Sequence, residues 1–249
     1  MQLGLTVIYK PMESSNNLSN QAELNVQFRL NPGATAAEIH LKPHQTITAE
    51  GGSMIAMSPN IQMSTSTHIK KSGGIIKGIK RMFSGENFFL NHFQGDEKGG
   101  TVWLGTTLSG DMLQKELNGE TLIIQGGSYV ASTEDIEIDL SWQGFKNLVS
   151  KENMFWIKAK GKGTVIFNSF GAIYPIQVQG EHIVDTGHIV AFEESLNFKI
   201  SKAGGSWISS ILGGEGLVCK FQGHGTVWVQ SHNANAFGSI VGPKLKPRK

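Results

Sequence analysis

Three short blocks of residues recur three times, in the same order, along this 249-residue chain, and that repetition constrains its fold more than any other feature. The first block, Gly52-Ser53-Met54-Ile55-Ala56, returns as Gly127-Ser128-Tyr129-Val130-Ala131 and as Gly187-His188-Ile189-Val190-Ala191. An alternating segment follows each copy, with apolar residues at Ile61 and Met63, Ile136 and Ile138, and Leu196 and Phe198. The second block is Gly85-Glu86-Asn87-Phe88-Phe89, echoed by Lys151-Glu152-Asn153-Met154-Phe155 and Gly214-Glu215-Gly216-Leu217-Val218. The third, Gly100-Thr101-Val102-Trp103-Leu104, returns as Gly163-Thr164-Val165-Ile166-Phe167 and Gly225-Thr226-Val227-Trp228-Val229. Alternation of period two is the mark of a half-buried strand. One repeat cannot bury its own apolar face, but consecutive repeats can share a core.

The expected fold is all-β, a single domain over 1–249. Its repeats run approximately 22–105, 106–168 and 169–231 around a pseudo-threefold axis, with peripheral tails at 1–21 and 232–249. Ala56, Ala131 and Ala191 should then occupy equivalent strand positions. The 31 glycines fit many short strands joined by tight turns, since average usage is only about 7%.

Between its strand blocks each repeat holds a connector. In the first, Ile69 to Ser84, Ile75, Ile76, Ile79, Met82 and Phe83 fall at helical spacing, with Lys70, Lys71, Lys77, Lys80 and Arg81 around them. Trp142, Phe145, Leu148 and Val149 repeat the pattern, as do Trp207, Ile208, Ile211 and Leu212. Short helical connectors are therefore expected. The first is the candidate surface-docking segment, because a basic amphipathic stretch suits an anionic membrane surface. The competing reading packs its apolar stripe against the β-core.

The segments Gly51 to Ser58 and Arg81 to Phe89, together with the Gly-Thr-Val blocks, resemble the mitochondrial-biogenesis, altered-inheritance-of-mitochondria (number twenty-four) family. The likeness spans about Ala22 to Ser231. It implies repeats similar to the tryptophan RNA-binding attenuation protein (TRAP-like), each a short double-stranded β-helix of a kind that assembles into rings. It implies no catalytic residues. A homo-oligomer is expected, with a trimer as the first form to test.

Other chemistry is weakly signalled. Net charge is only +2, and basic residues are not interleaved with aromatics, so nucleic acid is not an expected partner. His40 and His44 lie four apart but without a third ligand at a diagnostic spacing, so no metal is expected. Glu86, Glu152 and Glu215 recur once per repeat, which suits a structural role such as capping a turn better than a catalytic pair. Cys219 is the single cysteine, so no internal disulfide forms, and a small buried hydrophobe is its default role. Aligned on the glutamate it matches Leu90 and Trp156; aligned on the later glycine it matches Asn91 and Ile157.

No run of 18 apolar residues occurs. The opening MQLGLTVIYK has neither a basic signal-peptide start nor the arginines of a transit peptide, so a cytoplasmic protein, at most peripheral to a membrane, is expected. The functional expectation is a non-enzymatic scaffold or interaction protein without cofactors, docking to a membrane surface or a protein partner. A small-ligand module using clefts between repeats is the alternative, and an enzyme comes third.

Overall fold

Alternating burial turns the sequence pattern into strands. The computed structural model describes residues 23–66, 70–71, 74–75, 88–140, 155–202 and 217–246. Its strands are β1 (Asn25–Arg29), β2 (Ala36–Leu41), β3 (Thr46–Glu50), β4 (Met54–Met57), β5 (Gln62–Ser66), β6 (Lys70–Lys71), β7 (Gly74–Ile75), β8 (Leu90–Gln94) and β9 (Gly100–Leu104). They continue as β10 (Met112–Gln125), β11 (Tyr129–Thr133), β12 (Ile136–Asp139), β13 (Trp156–Asn168), β14 (Ile173–Asp185), β15 (Ile189–Glu193), β16 (Asn197–Lys202) and β17 (Leu217–Gln230). One short helix, α1 (Ala234–Val241), follows; the Asn233 side chain caps it by accepting from the N–H groups of Asn235 and Ala236. In β2, Ala37, Ile39 and Leu41 are buried while Glu38 and His40 are half-exposed, and β3 buries Ile47 and Ala49. β11 and β15 read differently: nearly every residue is buried, because strands flank them on both sides.

The protein is predominantly β, and every strand ladder is antiparallel. β1-β2-β9-β4 form a four-stranded sheet, and β14-β17-β15-β10-β13-β11-β3-β8-β5 form the main path of an eleven-stranded one, with β12 on β13 and β16 on β17. Among the described residues no ladder joins β4 to β14, so the sheets end open.

The recurring blocks fall at matching places in these ladders. Met54 pairs with Leu104 and Ala56 with Trp103; Tyr129 pairs with Phe167 and Ala131 with Ile166; Ile189 pairs with Val229 and Ala191 with Trp228. In all three the register slips at the intervening residue (Ile55, Val130 or Val190), a bulge that steps the strand by one residue. The long ladders β10–β13 and β14–β17 each correspond to the two short ladders β2–β9 and β3–β8. Where β10 and β14 pass from one half to the other, Gly119 (φ 111°) and Gly180 (φ 98°) take left-handed backbone, and at the matching place between β2 and β3 His44 has φ 58°. The first connector, expected to be helical, begins instead as a small hairpin: Lys70 pairs with Ile75 and Lys71 with Gly74. Glycine disfavours helix, and Gly74 pairs in that hairpin opposite Lys71.

Candidate interaction site

The Gly-Thr-Val block recurs because each of its three residues does a definite job. Val102, Val165 and Val227 are fully buried. Each threonine is held twice. The Thr101 N–H donates to Ser58 Oγ (3.0 Å), that of Thr164 to Thr133 Oγ1 (3.1 Å) and that of Thr226 to Glu193 Oε2 (3.1 Å). Their hydroxyls meet the side chain directly across the ladder. Thr101 lies 3.3 Å from His40 Nδ1, Thr164 donates to Glu116 Oε1 (2.6 Å) and Thr226 to Gln177 Oε1 (3.3 Å). The glycine leaves room for the strand that crosses it. A Cβ on Gly100 would lie 2.6 Å from Ile61 Cδ1, one on Gly225 3.0 Å from Leu196 Cγ, and one on Gly163 against the Thr133 hydroxyl. Ile61, Ile136 and Leu196 are the same position of the alternating segment.

Successive repeats are joined by one recurrent ladder. β11 of the second repeat pairs with β3 of the first, placing Ala131 opposite Ala49, Ser132 opposite Thr48 and Thr133 opposite Ile47. β15 of the third pairs with the inner half of β10 in the same register, with Ala191 opposite Ile124, Phe192 opposite Ile123 and Glu193 opposite Leu122. Buried Tyr129 adds a lock at the first junction: its hydroxyl donates to Thr48 O (3.0 Å) and lies 3.0 Å from Ser132 Oγ. Burial pushes that phenol well above its ordinary pKa, so it stays protonated.

The two ends of this succession carry no ladder on their outer side among the described residues. There β4, the counterpart of β11 and β15, pairs with β9 alone, and β14, the counterpart of β3 and of the inner half of β10, pairs with β17 alone. Ile55 is 58% exposed where Val130 and Val190 are fully buried, and Ile183 is 59% exposed where Ile123 is fully buried. Exposed apolar strand edges are uncommon in proteins that act alone.

The family model described as Mitochondrial biogenesis AIM24 matches residues 28–232. The chain belongs to this family. An uncharacterized protein of Streptococcus pyogenes serotype M6 is 28% identical over 244 residues, covering 94% of this chain and 95% of the relative. The crystal structure of a Streptococcus pyogenes protein is similar as well, with a TM-score of 0.72, 26% identity, and coverage of 90% of this chain and 100% of that one. All the block copies, from Gly52 to Val229, fall inside the matched span.

In this AIM24-family chain the residues singled out for docking lie mostly beyond the described structure. Lys70, Lys71 and Ile75 are described as backbone, in β6 and β7. Ile76, Lys77, Ile79, Lys80, Arg81, Met82 and Phe83 lie outside the described residues, as do Glu86, Glu152 and Glu215. His40 stands beside Thr101 and, at 3.5 Å, Glu38; His44 occupies the left-handed turn after β2. Among the described residues no three His, Cys, Asp or Glu side chains form a group that could hold a metal ion, and no helix is long and apolar enough to cross a membrane. Cys219 is fully buried, and burial pushes its thiol up to about 12. It pairs with Val184 as Ile157 pairs with Ile124 and Asn91 with Ala49, which selects the alignment on the later glycine. An open depression of about 440 Å³ between the second and third repeats is lined by Glu120, Thr121, Glu193, Glu194 and Ser195. Two of its carboxylates are already engaged, Glu193 with Lys115 (3.3 Å) and Glu194 with Lys158 (2.6 Å). Three consecutive repeats in one chain imply terminal edges, but the sequence reading does not name β4 and β14 as those edges. Their signal was available: the first block has an apolar bulge residue in every copy, but only two of the copies have a preceding repeat to bury it.

Proposed function

We propose that this AIM24-family protein is a non-enzymatic scaffold, a succession of three TRAP-like units whose frame holds three connectors at equivalent places for docking on an anionic membrane surface. One observation carries this reading: each connector leaves and re-enters the frame at the same end of the same strand pair. The first departs from β5 at Ser66 and returns to β8 at Leu90, which pair with each other; the third departs at Lys202 and returns at Leu217, again paired. The second leaves after Asp139, whose partner Lys158 lies near the start of β13. The units follow one another in open order rather than closing around a threefold axis within one chain.

The first connector gives the frame its affinity. Lys70, Lys71, Lys77, Lys80 and Arg81 each contribute about 1 kcal/mol near an anionic bilayer. Five such charges support reversible, salt-sensitive association without insertion. Co-sedimentation with vesicles containing phosphatidylserine tests this at low and high salt. Wild type should bind at low salt and release at high salt, and a Lys77→Glu/Lys80→Glu/Arg81→Glu variant with an unchanged circular dichroism spectrum should lose most binding. Absence of wild-type binding at low salt, or equal binding by both proteins, contradicts the proposal. The small-ligand reading finds less support, because the inter-repeat depression is acidic and two of its carboxylates already hold lysines.

A further inference from the structure

The helix α1 carries an apolar stripe with nothing over it. Phe237, Ile240 and Val241 fall at i, i+3 and i+4, and Leu245 follows one short turn later, at Gly242–Lys244. No residue of α1 is buried, and Ile240 and Leu245 are 66% and 65% exposed. Phe237 touches the frame through an edge-on contact with the Phe170 ring, their centres 5.4 Å apart. The polar residues lie together elsewhere on the helix, where Ser239 Oγ donates to Asn235 O (2.9 Å). A helix of two turns is marginal in water without a surface to pack against.

Its charge and its place say what that surface is. From residue 216 to 249 the sequence holds no Asp or Glu, and Lys244, Lys246, Arg248 and Lys249 follow the helix. The turn Thr186–His188 sets α1 beside the base of the third connector. Thr186 Oγ1 donates to O of Leu217, where that connector re-enters the frame (2.9 Å). On the other side of the same turn, His188 Nδ1 lies 2.7 Å from Gln230 O, and Gln230 Nε2 donates to Gly187 O (3.1 Å). A Cβ on Gly187 would strike the side-chain amide of Asn233, which caps α1.

We propose that α1 and the lysines after it are a second contact for an anionic lipid bilayer, with Phe237, Ile240 and Leu245 entering the headgroup boundary and Lys244 and Lys246 meeting lipid phosphates. An apolar stripe beside a run of cations free of acids is the pattern that binds such a surface. This inference rests on the reading of an anionic membrane as the target, but places the contact in a part of the chain separate from the first connector.

The test uses the full chain with an environment-sensitive fluorophore on Ile240→Cys, buried Cys219 being shielded from the label. Vesicles containing phosphatidylserine should shift its emission to the blue, high salt should reverse the shift, and phosphatidylcholine alone should give none. Phe237→Ser and Lys244→Glu/Lys246→Glu, with unchanged circular dichroism, should each weaken the half-point in lipid about tenfold. In the Lys77→Glu/Lys80→Glu/Arg81→Glu background the probe should still shift, at higher lipid concentration. A silent probe while wild type sediments with vesicles overturns this contact and leaves the connector reading standing. A shifting probe with sedimentation unaffected by the connector substitutions keeps the contact and removes that reading. A silent probe without sedimentation, an equal shift with phosphatidylcholine alone, or no effect of either α1 variant also overturns the proposal.

Discussion

Thr164 shows at the residue scale why the chain repeats itself. Its N–H and hydroxyl are both used, by Thr133 and Glu116, in a site where the threonine is fully buried. Thr164→Val removes the donor to Glu116, and urea unfolding should record a loss of about 1–3 kcal/mol. Thr101→Val should cost less, because its partner His40 is about a third exposed (36%) and water can replace the lost hydroxyl. Tyr129→Phe should likewise lower stability by about 1–2 kcal/mol, since Thr48 O loses a buried donor. Cys219 gives a simpler readout: with its thiol raised to about 12 by burial, it should resist alkylation at neutral pH in the folded protein and react once urea unfolds it. The block itself was legible in the sequence. Its partners were not, because His40, Glu116 and Gln177 share no chemistry beyond the ability to meet a hydroxyl, and only strand register brings them to the same place.

At the scale of elements, turns and edges decide what the repeats can do. The turn between β8 and β9 is tied by Asp96, whose carboxylate accepts from the Lys98 N–H and from the Asn60 amide, both at 2.8 Å. First the backbone bond from Lys98 and then the Asn60 bond hold this carboxyl below its ordinary value. A depressed folded-state pKa stabilises the fold above the unfolded pKa, and that contribution disappears as pH falls through the folded value. Asp96→Asn should therefore be less stable than wild type at neutral pH, and the gap in unfolding midpoint should narrow below about pH 4. An unchanged gap across that range would place the effect elsewhere. Strand positions were readable from the period-two pattern at Ile61, Ile136 and Leu196, whereas the start of the first connector was not. There helical spacing suggested a helix, yet Lys70–Lys71 and Gly74–Ile75 pair as strands, and glycine's poor helix preference is something a count of apolar spacings does not weigh.

For the whole molecule, the sequence made the number and order of the repeats plain and left their closure open. Shared blocks report what each repeat has in common; they are silent on whether the first and last repeats meet, which depends on the rotation from one junction to the next. The ladders supply that difference: two junctions are made, and a third set of matching edges, the outer sides of β4 and of the end of β14, carries no ladder among the described residues. A homo-oligomer that paired these edges between copies would present several connectors together, and several weak surface contacts would then act as one. Amide hydrogen exchange as protein concentration rises tests this account most directly. The amides of 54–58 and 181–185 that face away from β9 and β17 should gain protection together as copies associate, while 129–133 and 189–193 stay protected at every concentration. Protection of those outward-facing amides already present in the monomer, or absent from both segments at the highest concentration, would contradict it.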